Sequence, residues 1–170
     1  MCSSDLHAVE IRHESFKNER FVHLCRKHNI AIVFADSAGR YPYLEDVTAD
    51  FIYCRLHGAE ELYVSGYTDA ALDWWAARIK LWRCGKEPGD RMCVSASKCH
   101  KRKARDVYVY FDNDAKVKAP FDAMRLAERL GGAAADACDE AIMATAGEAA
   151  RESWPDIARY PGRGKATAKR

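Results

Sequence analysis

The sequence has no apolar run that approaches the ~20 residues needed for a bilayer-spanning helix. Its N-terminus also lacks the basic and then apolar layout of a secretory signal. These absences argue against a membrane protein and favour a cytoplasmic location. The composition fits one domain instead, because 170 residues, 48% of them hydrophobic and 31% charged, are enough to build a sizeable core.

Motifs that mark several common chemistries are missing as well. No glycine-rich phosphate-binding fingerprint follows a β-rich run, which argues against a dinucleotide-binding domain. No G-x-S-x-G segment is present, so nothing indicates the nucleophile of an α/β-hydrolase. The segment Cys93–His100 contains two cysteines and a histidine but no C-x-x-C motif and no second ligand pair, and we expect no zinc there.

Basic residues are concentrated in one loop and in the C-terminal tail. The loop contains Lys98, Lys101, Arg102, Lys103 and Arg105, and the tail contains Arg159, Arg163, Lys165, Lys169 and Arg170. Subtracting these ten charges from the net charge of +2 leaves −8, so the body of the domain is mildly acidic. A DNA-binding face is therefore not indicated. The loop from Lys98 to Arg105 would still allow contact with nucleic-acid phosphates, and a solvated loop with no partner is the alternative.

Four β-rich runs recur along the chain, and three of them are followed by a helical pattern. The runs are His7–His13, Asn29–Ser37, Asp50–Gly58 and Asp106–Asp114. The first helix is indicated by the apolar side chains of Phe21, Val22, Leu24 and Cys25, which lie on one side. The second is indicated by Thr68 as N-cap and by an apolar stripe that contains Leu72, Trp75, Ile79 and Trp82. The third is indicated by Pro120 in its first turn and by Gly131 as C-cap. Alternation of strand and helix predicts a parallel sheet.

Other segments do not follow this alternation. The connection between the second and third runs contains Gly39 and Pro42 and is predicted as a loop with a short turn. Residues 83–105 form a polar insertion that includes the basic loop. Residues 131–151 are rich in alanine and are predicted as a final helix, and 152–170 as a basic, disordered tail.

Polar side chains gather at the C-terminal end of every run. They are Arg12 and His13, Asp36 and Ser37, Arg55 and His57, and Asp112, Asn113 and Asp114. In parallel α/β folds, this edge hosts the ligand site, both in open doubly wound sheets and in (βα)8 barrels.

Four segments together resemble the YecE-like family, the domain of unknown function numbered 72. They are VEIRHESF, ADSAGRYPYLEDVTADFIYCRLHG, GYTDAALDWWAARIKLW and DVYVYFDNDAKVKAPFDAMRLAERL, and they occur in order between His7 and Leu130. The resemblance implies an α/β, TIM-barrel-like (βα) repeat, here a partial barrel of about four parallel strands with flanking helices. It implies no established activity and leaves the cofactor unknown.

Members of the family normally begin with a Gly-Cys-Ser-Gly-Trp-like segment and several further βα units, which do not occur in this sequence. We therefore expect a truncated fragment in which 7–151 is the C-terminal half of a barrel domain and 1–6 is a non-native leader. A genuine short N-terminus is the alternative. A half barrel would expose unpaired sheet edges.

Side-chain alternation assigns the faces of the third run. Phe51, Tyr53, Arg55 and His57 share one face, and the small apolar side chains of the other face suit packing under helices. The first face is therefore predicted to line the barrel. The same alternation places Asp36 on one strand face with Ile30, Ile32 and Phe34. It places Arg12 on one face with Glu10.

Six side chains are predicted to converge at the barrel mouth as catalytic candidates: Arg12, His13, Asp36, Arg55, His57 and Asn113. The arginines suit a carboxylate or a phosphate. The histidines suit general acid–base chemistry, Asp36 would orient one of them or act as base, and Asn113 would hold a substrate oxygen. Alternatively, Arg55 forms a structural ion pair with Asp36 or Glu10, and His57 bonds a loop carbonyl.

A metal site is not expected, because the spacing of the acidic and histidine residues near the strand ends does not require one and two nearby arginines would oppose a cation. These acidic and histidine residues are Glu10, His13, Asp36, His57 and Asp112. Two functions stay open. One is a hydrolase or phosphodiesterase-like enzyme acting on a small anionic or phosphorylated ligand, and the other is a non-catalytic module that binds a phosphate ligand or nucleic acid. The sequence alone does not decide whether the protein is an enzyme.

Overall fold

The computed structural model describes residues 6–59, 62–97, 99 and 101–131. This part of the chain contains the strands β1 (Ala8–Val9), β2 (Ala31–Ile32), β3 (Phe34–Asp36), β4 (Phe51–Leu56) and β5 (Asp106–Phe111), and the helices α1 (Glu19–Lys27), α2 (Asp69–Arg83) and α3 (Ala119–Leu130). Short 3-10 turns cover Glu14–Phe16 and Asp114–Lys116. The predicted leader before Leu6, the predicted final helix after Gly131 and the predicted tail lie outside the described residues.

All strand pairs are parallel, which confirms the predicted α/β class. β1 pairs with β2, with Val9 opposite Ile32. A second sheet has the order β3-β4-β5, with Ala35 opposite Arg55 and Arg55 opposite Tyr110. The second predicted run is thus two short strands on either side of Val33, the first bound to β1 and the second to β4.

The helices begin and end where local chemistry predicts. The Asn18 side chain caps α1 by accepting a hydrogen bond from the Phe21 N–H (2.9 Å), and Thr68 caps α2 in the same way. Gly131 ends α3 with φ 68°, a conformation that glycine adopts without steric cost. Among the described residues, no helix is both long and apolar enough to cross a bilayer.

Two of the three hydrophobic clusters in the described residues lie between the sheets and the helices. The larger one joins β3 and β4 to α2 and α3 and contains Phe34, Ile52, Cys54, Leu56, Leu72, Trp75, Ile79, Trp82 and Leu126. The smaller one packs α1 against β2 through Ile11, Val22, Cys25, Ile32 and Leu44. Leu24 was predicted on the apolar side of α1 but is 53% exposed, whereas Val22 and Cys25 are buried and Phe21 packs against the edge of the smaller cluster.

The connection before β4 has no regular secondary structure, as predicted, but it is largely buried. Its two buried carboxylates hold the polar insertion in place. Glu45 accepts a hydrogen bond from the Met92 N–H (2.8 Å), and Asp46 accepts bonds from the N–H groups of Val94 (2.8 Å) and Ser95 (3.1 Å). Burial raises the pKa of Glu45, although the nearby guanidinium of Arg78 opposes this.

The sheet face away from the helices carries aromatic side chains. Phe51 and Tyr108 meet edge to face, and Tyr53 stacks on Tyr110 with ring centroids 5.0 Å apart. Val107, Val109 and Phe111 pack on the helix side. The register therefore settles which face of β5 is turned from the helices, a choice that alternation alone leaves open.

Candidate functional site

Charged side chains meet at the carboxyl edge of the parallel strands. Glu10 follows β1, Arg55 lies near the end of β4, and His57 and Asp112 each follow a strand by one residue. Backbone hydrogen bonds continue past the strand ends, from the His57 N–H to the Asp36 carbonyl and from the Asp112 N–H to the Leu56 carbonyl (both 2.8 Å). We call Glu10, Arg12, Arg55, His57 and Asp112 the His57 cluster.

Arg55 bridges two carboxylates that come from opposite ends of the described chain. One terminal nitrogen donates to Glu10 Oε2 at 2.8 Å, and the other donates to Asp112 Oδ2. Burial alone would lower the pKa of Arg55, but the two carboxylates outweigh it and the net effect raises the pKa. The fork of a guanidinium suits this arrangement, because two parallel N–H groups can serve two acceptors at once.

His57 is fully buried between the same two carboxylates. Its Nε2 lies 3.5 Å from Glu10 Oε2, and its Nδ1 lies 3.2 Å from Asp112 Oδ2. Neither ring nitrogen makes an aligned hydrogen bond with the described part of the chain. Burial lowers the pKa of His57, and Arg55 adds to that effect while Glu10 and Asp112 oppose it, so the imidazole is neutral near pH 7.

Two tyrosines form a wall beside the imidazole. The ring centroids of Tyr63 and Tyr41 lie 5.3 Å and 6.4 Å from that of His57, both edge-on. Burial raises the pKa of Tyr63, as does its hydrogen bond with Tyr41, so the Tyr63 hydroxyl is uncharged near pH 7. The Tyr63 backbone has φ 64°, a conformation that costs a non-glycine residue energy and often occurs at functional sites.

Arg12 lies at the solvent-facing rim of the cluster. Its guanidinium donates to Glu10 Oε1 at 2.9 Å and lies over the Tyr41 ring, 4.7 Å from the centroid. The hydrogen bond to Glu10 raises the pKa of Arg12. Because about half of the Arg12 side chain is exposed, this cation can reach a ligand in solution.

Three of the six predicted residues do not join the cluster. Asp36 pairs in register with Leu56 and so points to the helix side of the sheet. His13 is exposed and caps the turn Glu14–Phe16 by accepting from the Ser15 N–H. Asn113 is buried and donates to the Ser65 carbonyl and to Asp122, which ties the end of β5 to α3.

The remaining three, Arg12, Arg55 and His57, do come together, and they meet partners that the candidate list omitted. From the sequence, Glu10 is expected as a structural partner of Arg55 or as a possible metal ligand, and the ion pair with Arg55 is present. From the sequence, Asp112 is expected at the same edge and as a possible metal ligand, but not as a catalytic candidate. Tyr41 and Tyr63 carry no sequence signal, because both reach His57 from irregular segments. In the described residues, no three histidine, cysteine or acidic side chains are grouped as a metal would require.

The arrangement supplies the components of acid–base chemistry on a charged substrate. A neutral imidazole near pH 7 can accept or donate a proton, and a half-exposed guanidinium can bind an oxyanion. Carboxylates on either side of the imidazole can stabilise its protonated form.

Family and structural comparisons fit this architecture. The model of the family described as "Protein of unknown function DUF72" matches residues 2–146. The chain belongs to the DUF72 family. This match confirms the family that the four segments indicated. No curated protein matches the chain.

Solved structures of DUF72 proteins share the fold. One from Thermotoga maritima is 25% identical with a TM-score of 0.57, and the match covers 75% of this chain and 46% of that one. Two structures of a DUF72 protein from Enterococcus faecalis are 17% identical, with TM-scores of 0.55 and 0.53, and the matches cover 75% of this chain and 48% and 49% of theirs. This chain thus spans about half the length of the DUF72 structures it matches.

Proposed function

We propose that this DUF72 chain forms a partial TIM-barrel-like domain and that the His57 cluster is its active site, which hydrolyses an anionic substrate by phosphodiester-type cleavage. The observation that supports this most directly is the buried, neutral imidazole between two carboxylates and an arginine at the carboxyl edge of parallel strands. In barrel enzymes, this edge carries the catalytic groups. The reaction class itself rests on analogy with other barrels.

Each member of the His57 cluster has a role in this proposal. Arg12 binds the incoming anion from the rim, and Arg55 sets the positions of Glu10 and Asp112 and stabilises negative charge that develops on the substrate. His57 exchanges a proton with the reacting group. The tyrosine wall limits the access of water to the imidazole.

Hydrolysis of bis(4-nitrophenyl) phosphate by the full chain, with and without added divalent cations, tests the proposal. General acid–base catalysis contributes about 10²- to 10⁴-fold, so we expect His57→Gln to lose activity by about that factor. The matched control is His23→Gln, which changes an exposed histidine on α1 and leaves activity unchanged. Equal activity of the two variants, or no turnover above the uncatalysed rate, would overturn the proposal.

A non-catalytic binding module is the second candidate, and the exposed residues 101–103 of the basic loop favour it. Lys101, Arg102 and Lys103 are exposed, and Arg102 lies 3.6 Å from Asp50. Binding of a fluorescent single-stranded oligonucleotide should then weaken with salt. Replacing the three residues with glutamine should flatten the plot of log affinity against log salt by about 0.7 per lost phosphate contact. An unchanged slope would exclude the loop as the binding surface.

A further inference from the structure

The charges of the His57 cluster cancel as long as His57 is neutral. Arg12 and Arg55 carry two positive charges, and Glu10 and Asp112 carry two negative ones. In the described residues, the other titratable groups that face the ring are Tyr41 and Tyr63, and the pKa of Tyr63 is raised by burial. An anion that enters this site therefore adds an uncompensated charge, which is costly where water is excluded.

Arg55 is also occupied by the cluster's own carboxylates. Both of its terminal nitrogens donate, one to Glu10 Oε2 and the other to Asp112 Oδ2. An anion that approaches Arg55 must compete with these two oxygens and is repelled by them. A second hydrogen-bond donor for each carboxylate would reduce both this competition and this repulsion.

His57 is placed to provide that second donor. Its two nitrogens lie 3.5 Å and 3.2 Å from the oxygens that Arg55 holds, and in the described residues neither has an aligned hydrogen bond. Buried polar groups without such a bond are uncommon and call for an explanation. A protonated imidazole has two N–H donors, one for each carboxylate.

We infer that the His57 cluster binds its anion together with one proton taken up by His57, so that it selects singly charged oxyanions, such as phosphodiesters, over doubly charged phosphate monoesters. Protonation gives the cluster a charge of +1, which one negative charge neutralises and two negative charges exceed. The lowered pKa of the unliganded imidazole is consistent with a proton that arrives only with the anion. This inference rests on the proposed function, because it assumes that the cluster is an anion site.

Nitrogen NMR of the full chain with ¹⁵N-labelled histidine tests the inference without a variant that must fold. The probes are dimethyl phosphate, with one charge, and methyl phosphate, with about two charges at about pH 8. We expect dimethyl phosphate to shift both His57 nitrogen signals from the neutral to the protonated position. Its affinity should fall about tenfold per pH unit above neutrality, as uptake of one proton requires. Methyl phosphate should bind at least tenfold more weakly at that pH.

Variants assign the signals and separate the outcomes. His57→Gln should remove the pH dependence of dimethyl phosphate binding, whereas His23→Gln should retain it. Binding of dimethyl phosphate while His57 stays neutral, or equal affinity for both probes, would overturn the inference and leave the proposed function standing. If His57 is already protonated before the probe is added, the inference also fails. If neither probe binds, both the inference and the proposed function fail.

Discussion

The imidazole of His57 gives the stability of the fold a pH dependence with a definite sign. Burial lowers its folded-state pKa below the ordinary value of 6.5. Between these two pKa values, the unfolded chain binds more protons than the folded one, so the free energy of unfolding rises with pH. The contribution of His57 is therefore complete above about pH 6.5 and is lost as the pH falls toward the folded-state pKa.

Urea unfolding between about pH 7.5 and 5.5 measures this effect. A single proton gives a slope of at most about 1.4 kcal/mol per pH unit, and we expect wild type to lose stability faster than His57→Gln as the pH falls. His23→Gln, which removes an exposed histidine, should follow the wild-type curve. Parallel curves for wild type and His57→Gln would contradict the assignment.

Arg55 and Arg12 both bind Glu10, but they should differ in their effect on stability. Arg55→Lys keeps the charge and loses the fork that bridges Glu10 and Asp112, so a partly buried carboxylate loses its donor, at a cost of about 1–3 kcal/mol. Arg12→Lys changes a half-exposed ion pair and should cost clearly less than Arg55→Lys. Equal losses in thermal unfolding would show that Arg55 does not act as a bridge.

The alternation of side chains predicted which residues of β4 face the helices, but it did not predict the role of Asp36. On β4, one face ends in charged groups and the other is uniformly apolar, so hydrophobicity shows which face meets the helices. The run that contains β2 and β3 is buried on both faces and offers no such contrast. Side-chain alternation grouped Asp36 with Phe34, but the register with Leu56 and the contact between Phe34 and Trp82 identify that face as the helix side.

At the level of elements, the connection before β4 holds the polar insertion through buried carboxylates. Asp46 accepts two backbone N–H bonds, from Val94 and Ser95, and lies 3.8 Å from Arg26. Removing a buried acceptor costs about 1–3 kcal/mol. Asp46→Ala should therefore speed hydrogen exchange of the Val94 and Ser95 amides by about 5- to 150-fold.

Asp90→Ala is the matched control for this exchange measurement. Asp90 is about half exposed and binds Arg78, and it contacts neither amide. Its replacement should leave exchange at Val94 and Ser95 within about twofold of wild type, because Asp90 itself is half exposed and Arg78 keeps its ion pair with Glu45. If Asp46→Ala exchanges at the same rate as Asp90→Ala, the insertion is held by other contacts.

Helix ends were predictable from the sequence because their chemistry is local, whereas this anchoring was not. Thr68 bonds the backbone three residues ahead, and Gly131 turns the chain at its own position. Asp46 instead serves amides almost fifty residues away. No periodicity or spacing indicates that an acidic residue in a loop will accept backbone bonds from a distant segment.

Over the whole molecule, the His57 cluster depends on both hydrophobic clusters. Glu10 follows β1, whose partner β2 packs on α1 in the smaller cluster. Arg55 lies in β4 and His57 directly follows it, and β4 packs on α2 in the larger cluster. Val33 links the two sheets. It lies between β2 and β3, and its N–H donates a hydrogen bond to the carbonyl of Val9 in β1. The charged cluster therefore forms only when both parts of the described chain are folded together.

Val22→Ala tests this cooperativity from the α1 side. Val22 is fully buried in the smaller cluster, and its truncation should cost roughly 2 kcal/mol. Because the tryptophans of α2 lie in the larger cluster, their fluorescence should report the same loss only if both clusters unfold as one unit. Leu24→Ala, on the same helix at a position 53% exposed, should change the unfolding midpoint little, by less than about 0.5 kcal/mol. An unchanged tryptophan transition in Val22→Ala, with an earlier transition of the His57 nitrogen signals, would show instead that the two clusters unfold separately.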